Sequence, residues 1–467
     1  MREDRLLQSA AAPTIAARID RFPNTSYVRR LVTFLSLGGC FEFYDLFLMG
    51  YIGPGFFSAK LFSPTTQGLF DLNGFASFVA ATFAGLFIGT LLFSWVSDRL
   101  GRRSVFTYSL LWYCACTLIM AFQSTAPALD LWRFIASVGI GVELVNIDTY
   151  LSELVPKERR GASFAYNQFV QFCAVPVVAF LAWLLIPRTV LGLEGWRWVV
   201  IIGAAGAAVI WWLRLRLPES PRWLAQHGRT GEAQRIVAVM EERIERETGR
   251  PLPPPETVLG ESEIAEGSWI EMWQGPYLKR TIILSIYNLF QTIGYYGFAS
   301  WVPTLLISQG ITTTRSLEYT FIVALAAPVG PLIGTLCADA IDRKWQIAWA
   351  AVVIAICGLL FSQQTSAVGI IVFGILITIA NNWLSFSFHA YQAELYPTRI
   401  RAMAVGFVYS WSRFSTIFTG YLIAFLLRSY GTTGVFVFIA AAMAIVVVVI
   451  GGFGPRTSRL RLEAISH

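Results

Sequence analysis

The fold class predicted is an all-α membrane protein: twelve transmembrane helices in two six-helix, pseudo-symmetric halves. Three observations predict it. Of 467 residues, 55% are hydrophobic and 14% charged, where a soluble domain carries about 25% charged residues. With a mean hydropathy of +0.57, the chain holds more apolar surface than one aqueous core hides, so its solvent is largely lipid. Twelve apolar runs reach the roughly 20 residues that a helix needs to cross about 30 Å of hydrocarbon. The second half of the chain also repeats the first.

The runs, spans 1 to 12, lie at 31–56, 73–97, 104–123, 128–152, 162–187, 196–213, 280–307, 318–340, 346–362, 367–392, 403–427 and 433–453. Charges punctuate them in order. Arg29, Arg30 and Lys60 bracket span 1, and Asp98 to Arg103 separates spans 2 and 3. Lys157 follows span 4, Arg160 and Arg188 flank span 5, and Arg197 and Arg214 mark span 6. Lys279 and Arg280 precede span 7, and Arg315 and Asp339 bound span 8. Arg343 and Lys344 open span 9 and Glu394 ends span 10. Arg401 and Arg428 flank span 11, and Arg456 follows span 12.

With both termini inside, Lys and Arg concentrate in cytoplasmic segments. The exceptions are Lys60, Arg188, Arg197, Arg315 and Arg428 in outer loops, and Arg133 and Arg413 within spans. The positive-inside rule is thereby met, and the net charge of +7 needs no polyanionic partner, so nucleic acid is excluded. The first 30 residues are polar and Arg-bearing, without the apolar core of a cleaved signal. All six cysteines lie in apolar runs without metal-type spacing, as small core residues and not disulfides. No metal-ligand cluster, nucleophile elbow or phosphate loop points to an enzyme or a cofactor.

The expected organisation is a cytoplasmic tail (1–30), a six-helix half (31–213), a cytoplasmic linker (214–278), a second six-helix half (279–453) and a cytoplasmic tail (454–467). In the linker, Arg229 to Glu247 repeats Ala233, Ile236, Val237, Met240 and Ile244 at helical spacing. This amphipathic helix is expected to rest on the bundle or on lipid headgroups. Pro251 and Pro253 to Pro255 end it.

A displacement of 241 residues places Gly89 on Gly330, Asp98 on Asp339, Arg102 on Arg343, Arg103 on Lys344, Tyr150 on Tyr391, Glu153 on Glu394 and Arg160 on Arg401, without a gap. Two halves in the same orientation, related by an axis along the membrane normal, build one class of secondary transporter.

Asp98-Arg-Leu-Gly-Arg-Arg103, its copy Asp339-Ala-Ile-Asp-Arg-Lys344, Glu153 to Gly161, Pro218-Glu-Ser-Pro-Arg-Trp223 and Glu394-Leu-Tyr-Pro-Thr-Arg399 together resemble the major facilitator superfamily. The likeness covers nearly the whole chain and lies toward sugar porters and metabolite:proton symporters. Ser94 stands where the family usually has glycine, and Asp342 where Gly101 has its counterpart. The resemblance implies a cytoplasmic gate of Asp98, Arg102, Arg103, Glu153, Arg160, Asp339, Arg343, Lys344, Glu394 and Arg401, whose charge-assisted hydrogen bonds lock the outward-facing state. The positive-inside rule alone accounts for the same basic residues.

Charges inside spans are costly and are functional candidates by default. Glu42 and Asp45 sit three apart on one face of span 1. Asp45 resembles the aspartate of proton-linked sugar porters, and the pair resembles the paired acids of aromatic-acid:proton symporters. Asp45 lies about 21 Å above the cytoplasmic end of span 1, at a height where Arg133 of span 4 can meet it. The resemblance implies a switch in which protonation of Asp45 frees Arg133; a permanent structural pair is the alternative. Glu143, about 15 Å below Arg133, resembles the glutamate of metabolite symporters. It is a proton relay with Asp148, a substrate contact, or a satisfied interior carboxyl.

Substrate candidates are Gln291, Tyr295, Tyr296 and Trp301 in span 7, Asn381, Asn382 and Trp383 in span 10, and Arg413 in span 11, with Gln168 and Gln171 in span 5. Gln291-Thr-Ile-Gly-Tyr-Tyr296 is similar to sugar-porter span 7 but lacks the doubled glutamine and the following asparagine. The planar guanidinium of Arg413 suits a carboxylate. The expectation is a monomeric, bacterial inner-membrane symporter that imports a small organic acid, aromatic or sugar-acid, with protons. A sugar or polyol carrier and a non-transporting nutrient receptor are the alternatives. The absence of glycine between Ala162 and Pro187 separates the chain from drug antiporters.

Overall fold

The computed structural model describes residues 15–64, 74–156, 159–214, 217–255, 268–337, 341–396 and 398–456. Each predicted span is helical there, and a two-residue β-hairpin, Thr189–Val190 with Leu193–Glu194, precedes span 6. Span 1 is one helix, Ser26–Ser58, that begins before its apolar run because its N-terminus is capped from two directions. The Thr25 hydroxyl accepts from the Val28 N–H at 3.3 Å, and the Glu247 carboxylate accepts from the N–H groups of Ser26 and Tyr27 at 2.5 and 3.0 Å. A carboxylate there satisfies orphan donors and the positive helix end together.

Three spans expected as single runs are each two helices. Span 5 is Arg160–Phe172 and Ala174–Leu185, span 7 is Gly275–Ala299 and Val302–Ser308, and span 8 is Thr313–Ala324 and Val329–Cys337. A proline follows or occupies each break: Pro176, Pro303 and Pro328. Its ring and missing N–H disrupt the preceding helical turn, while the local hydropathy stays high and conceals the break. Spans 11 and 12 join at Gly431, where φ is 67° and ψ is −167°, a backbone state that glycine adopts without side-chain strain.

Small residues set the approach of spans within each half. A Cβ on Gly89 of span 2 would lie 2.2 Å from the Val138 carbonyl of span 4, and one on Gly330 of span 8 would lie 2.5 Å from the Asn382 Cβ of span 10. The sequence repeat is therefore also a repeat of packing, with small residues admitting close helix contact. The two halves meet where span 2 packs on span 11, with Phe87 and Phe414 rings 6.3 Å apart, and where span 5 packs on span 8, with Trp183 stacked on Phe321 at 5.8 Å.

The linker helix Thr230–Thr248 buries Ala233, Val237, Met240 and Ile244 against Ile15 and Ile19, Leu31 and Leu35 of span 1, and Trp223. Its apolar stripe thus rests on the bundle; Ile236 is only half-buried. Ion pairs fasten the N-terminal segment to the linker: Arg18 and Arg21 each meet Glu241 at 2.5 Å, and Arg222 meets Asp20 at 2.8 Å. Burial pushes the Glu241 carboxyl up, but hydrogen bonds from Arg18 and Arg21 outweigh it and hold the group below its ordinary value of 4.5.

A carboxylate depressed in the folded state stabilises it above the ordinary value, and that contribution is lost as pH falls through the lowered one. Backbone amides of 15–22 are therefore expected to lose hydrogen-exchange protection as the pH drops below 4.5, and E241Q is expected to lose it already at neutral pH. Equal protection of wild type and E241Q at neutral pH would refute the clamp.

Candidate functional site

Asp45 of span 1 and Arg133 of span 4 are in contact, and both are buried. Arg133 Nη1 donates to Asp45 Oδ2 at 2.7 Å, Nη2 to the Asp45 main-chain carbonyl at 2.8 Å, and Nε to the Thr82 hydroxyl at 3.0 Å. Thr117 donates to the other carboxylate oxygen at 3.4 Å, and the Phe78 ring lies 5.8 Å from the guanidinium carbon. Span 2 reaches the arginine because Gly85 lies against span 4, where a Cβ would come 2.4 Å from the Phe134 carbonyl. Partnering on this scale is what holds an ion pair away from water, since desolvation otherwise costs several kcal/mol per ion.

Glu42 and Glu143 are fully buried as well. Ser109 donates to Glu143 at 3.5 Å. The side chain of Asp148, the other acid expected on the inward path, lies outside the described residues.

A cavity of about 320 Å³ separates the two halves. Gln168 and Gln171 line it from span 5, Gln291, Tyr295 and Tyr296 from span 7, and Arg413 from span 11. Arg413 is buried; its Nη1 donates to Tyr296 Oη at 2.9 Å and its Nη2 to Tyr409 Oη at 3.0 Å. Its Nε has no partner among the described residues. Phe43, Phe47, Phe172 and Phe388 supply apolar walls. The arrangement can hold an anionic group against Arg413 and an apolar or aromatic body against the rings.

Four expected contacts are placed elsewhere. Trp301 is buried edge-on against Phe75 at 5.3 Å, where the halves close. Trp383 donates its indole N–H to Gln346 at 3.0 Å, which ties span 10 to span 9. Asn382 accepts from Tyr295 Oη at 3.0 Å and donates to the Ala327 carbonyl at 2.9 Å, so it positions Tyr295 and lies, with Asn381, on a separate cavity of about 40 Å³. Apolar packing and helix-to-helix hydrogen bonding claimed these groups. Conversely, Tyr409, His389 and Gln392 line the main cavity. Tyr409 precedes Arg413 by one helical turn, and that spacing was the available signal.

At the end rich in arginine, Arg102 pairs with Glu153 at 3.3 Å and Arg343 with Glu394 at 2.7 Å. These positions are equivalent under the repeat, and each of these two pairs lies within one half. Lys344 donates to the Gly454 carbonyl at 2.9 Å, the Arg103 N–H donates to Glu219 at 3.0 Å, and Arg160 is half-buried near Arg222 and Asp20. The side chains of Asp98, Asp339 and Arg401 lie outside the described residues. At the opposite end the halves touch: Phe83 meets Tyr296 at 4.6 Å, and a Cβ on Gly50 would come 2.9 Å from Ser300. The cavity runs instead toward the arginine-rich end, lined there by Thr149, Val405 and Gly406.

Paired six-helix halves around a central polar cavity define an integral membrane transporter of the major facilitator superfamily, not an enzyme. The chain belongs to the family described as "Sugar (and other) transporter", whose model matches residues 31–467. It is 32% identical over 444 residues to the putative metabolite transport protein YyaJ of Bacillus subtilis (strain 168), covering 95% of this chain and 96% of that protein. It is 26% identical to the niacin transporter NiaP of Acinetobacter baylyi, covering 97% and 99%. Its fold is similar to the partially occluded inward open conformation of the xylose transporter XylE from E. coli, at a TM-score of 0.74 and 19% identity, covering 93% of this chain and 99% of that one.

Proposed function

We propose that the protein imports a small organic acid, of aromatic or sugar-acid type, together with protons across a bacterial inner membrane, with both termini cytoplasmic. The observation that carries this reading is Arg413, a buried guanidinium in the cavity with an unfilled donor and two phenols but no described carboxylate partner. Unpaired buried cations are costly, and a substrate carboxylate would complete the set. Gln168, Gln171 and Gln291 would bind remaining polar groups, and Tyr295 and Tyr296 would stack on the solute. The relatives named as niacin transporters support an aromatic acid, since niacin is one.

Coupling would reside in the first half. Asp45 takes a proton from outside and surrenders one of Arg133's three partners. Span 4 then loosens from span 1, and the proton leaves inward past Glu143, with Glu42 modulating Asp45 from one turn away. The gate residues Asp98, Arg102, Arg103, Glu153, Arg160, Asp339, Arg343, Lys344, Glu394 and Arg401 would close the arginine-rich end in the outward-facing state. The glutamine-lined cavity also favours a second reading, a sugar or polyol carrier.

Proteoliposomes with an inward proton gradient separate the readings. Accumulation of niacin, benzoate or a sugar acid that a protonophore collapses is expected. Accumulation of xylose or a polyol in place of the acids would favour the second reading. A ligand that binds without counterflow would leave a receptor.

A further inference from the structure

We infer that the groove between the start of span 1 and the start of span 5 binds the headgroup of an anionic phospholipid. The groove measures about 460 Å³ and is separate from the central cavity. Val28 and Val32 form an apolar floor, and Arg29 and Arg159 stand on opposite walls. Thr33 and Tyr166 join those walls through hydroxyls 3.2 Å apart. Both arginines are exposed. Among the described residues no carboxylate pairs with Arg159. Glu247 is the carboxylate that acts on Arg29, and its two oxygens already accept from the N–H groups of Ser26 and Tyr27.

Depth favours a lipid over a soluble anion. The groove residues run from 23 to 33 and from 156 to 166, and so straddle the points where spans 1 and 5 are expected to enter hydrocarbon, at 31 and 162. A phosphate between the two guanidiniums would be met bidentately, while acyl chains would leave along the apolar floor toward the bilayer. Tyr166 is exposed at that level, where amphipathic rings settle. The bound lipid would hold the segment after Glu153 against span 1.

The test measures thermal stability of the purified full chain in phosphatidylcholine nanodiscs titrated with phosphatidylglycerol. Phosphatidylglycerol should raise Tm in a saturable way. In the double variant R29Q/R159Q the half-saturating fraction should rise about thirtyfold, the loss expected for two basic residues near a membrane surface. A charge-matched control, R235Q/R246Q on the exposed face of the linker helix, should respond like wild type. Equal responses of R29Q/R159Q and wild type would overturn the assignment, as would equal losses in the control. An equal Tm rise from inorganic phosphate in pure phosphatidylcholine would assign the groove to a soluble anion instead.

Discussion

Asp45→Asn is expected to abolish accumulation against a gradient while sparing exchange. Asparagine keeps the shape of aspartate and one oxygen able to accept from Arg133 Nη1, which now donates to Asp45 Oδ2 at 2.7 Å. It holds no titratable proton, so the site stays permanently in its neutral form. With one proton per solute, a one-unit pH gradient supports about tenfold accumulation; in D45N the internal-to-external ratio should fall to about one, with counterflow still measurable. Asp45→Ala is a poorer test, because removing one partner of a buried pair costs about 3–5 kcal/mol and endangers folding. Normal accumulation by D45N would place the proton site elsewhere.

Arg413→Gln should raise KM for a carboxylate substrate by about a hundredfold, since a hydrogen bond to a charged group contributes about 1.5–3 kcal/mol and the substrate anion would be left buried without its cation. Arg413→Lys should recover part of that affinity. Lysine restores charge but not the planar fork that now reaches Tyr296 and Tyr409 together. Transport kinetics with acid and neutral solutes in parallel read both effects. A KM for the acid that stays within threefold of wild type in R413Q would remove Arg413 from substrate recognition and favour the sugar or polyol reading. Tyr409 and Tyr296 would then be plain packing partners of a structural arginine.

Much of this arrangement was legible because membrane thickness makes length informative. Counting residues from the ends of spans 1 and 4 put Asp45 and Arg133 at matching heights, and the side chains touch. The repeat likewise aligned Arg102 and Glu153 with Arg343 and Glu394, and both pairs form. Height, however, is only one coordinate. Which way a side chain points depends on the rotation of its helix, which neighbouring spans set. Trp301 and Trp383 lay on suitable spans and turned toward other helices, while Tyr409 and His389 turned inward. The breaks before Pro176, Pro303 and Pro328 were hidden by hydropathy, which registers apolar character and is blind to a missing N–H.

The second contact between Arg133 and Asp45 has a quantitative meaning. Protonation neutralises the carboxylate but leaves the main-chain carbonyl at 2.8 Å and the Thr82 hydroxyl at 3.0 Å still holding the guanidinium. What one bound proton can alter is the worth of a single charge-assisted bond, about 1.5–3 kcal/mol, which tilts the ratio of conformers by roughly ten- to a hundredfold. A bias of that size reverses a nearly balanced equilibrium and is powerless against a steep one. Under the proposed coupling, the rest of the molecule would have to keep its competing shapes close in free energy, so that modest perturbations far from Asp45 would shift the turnover rate without touching stoichiometry.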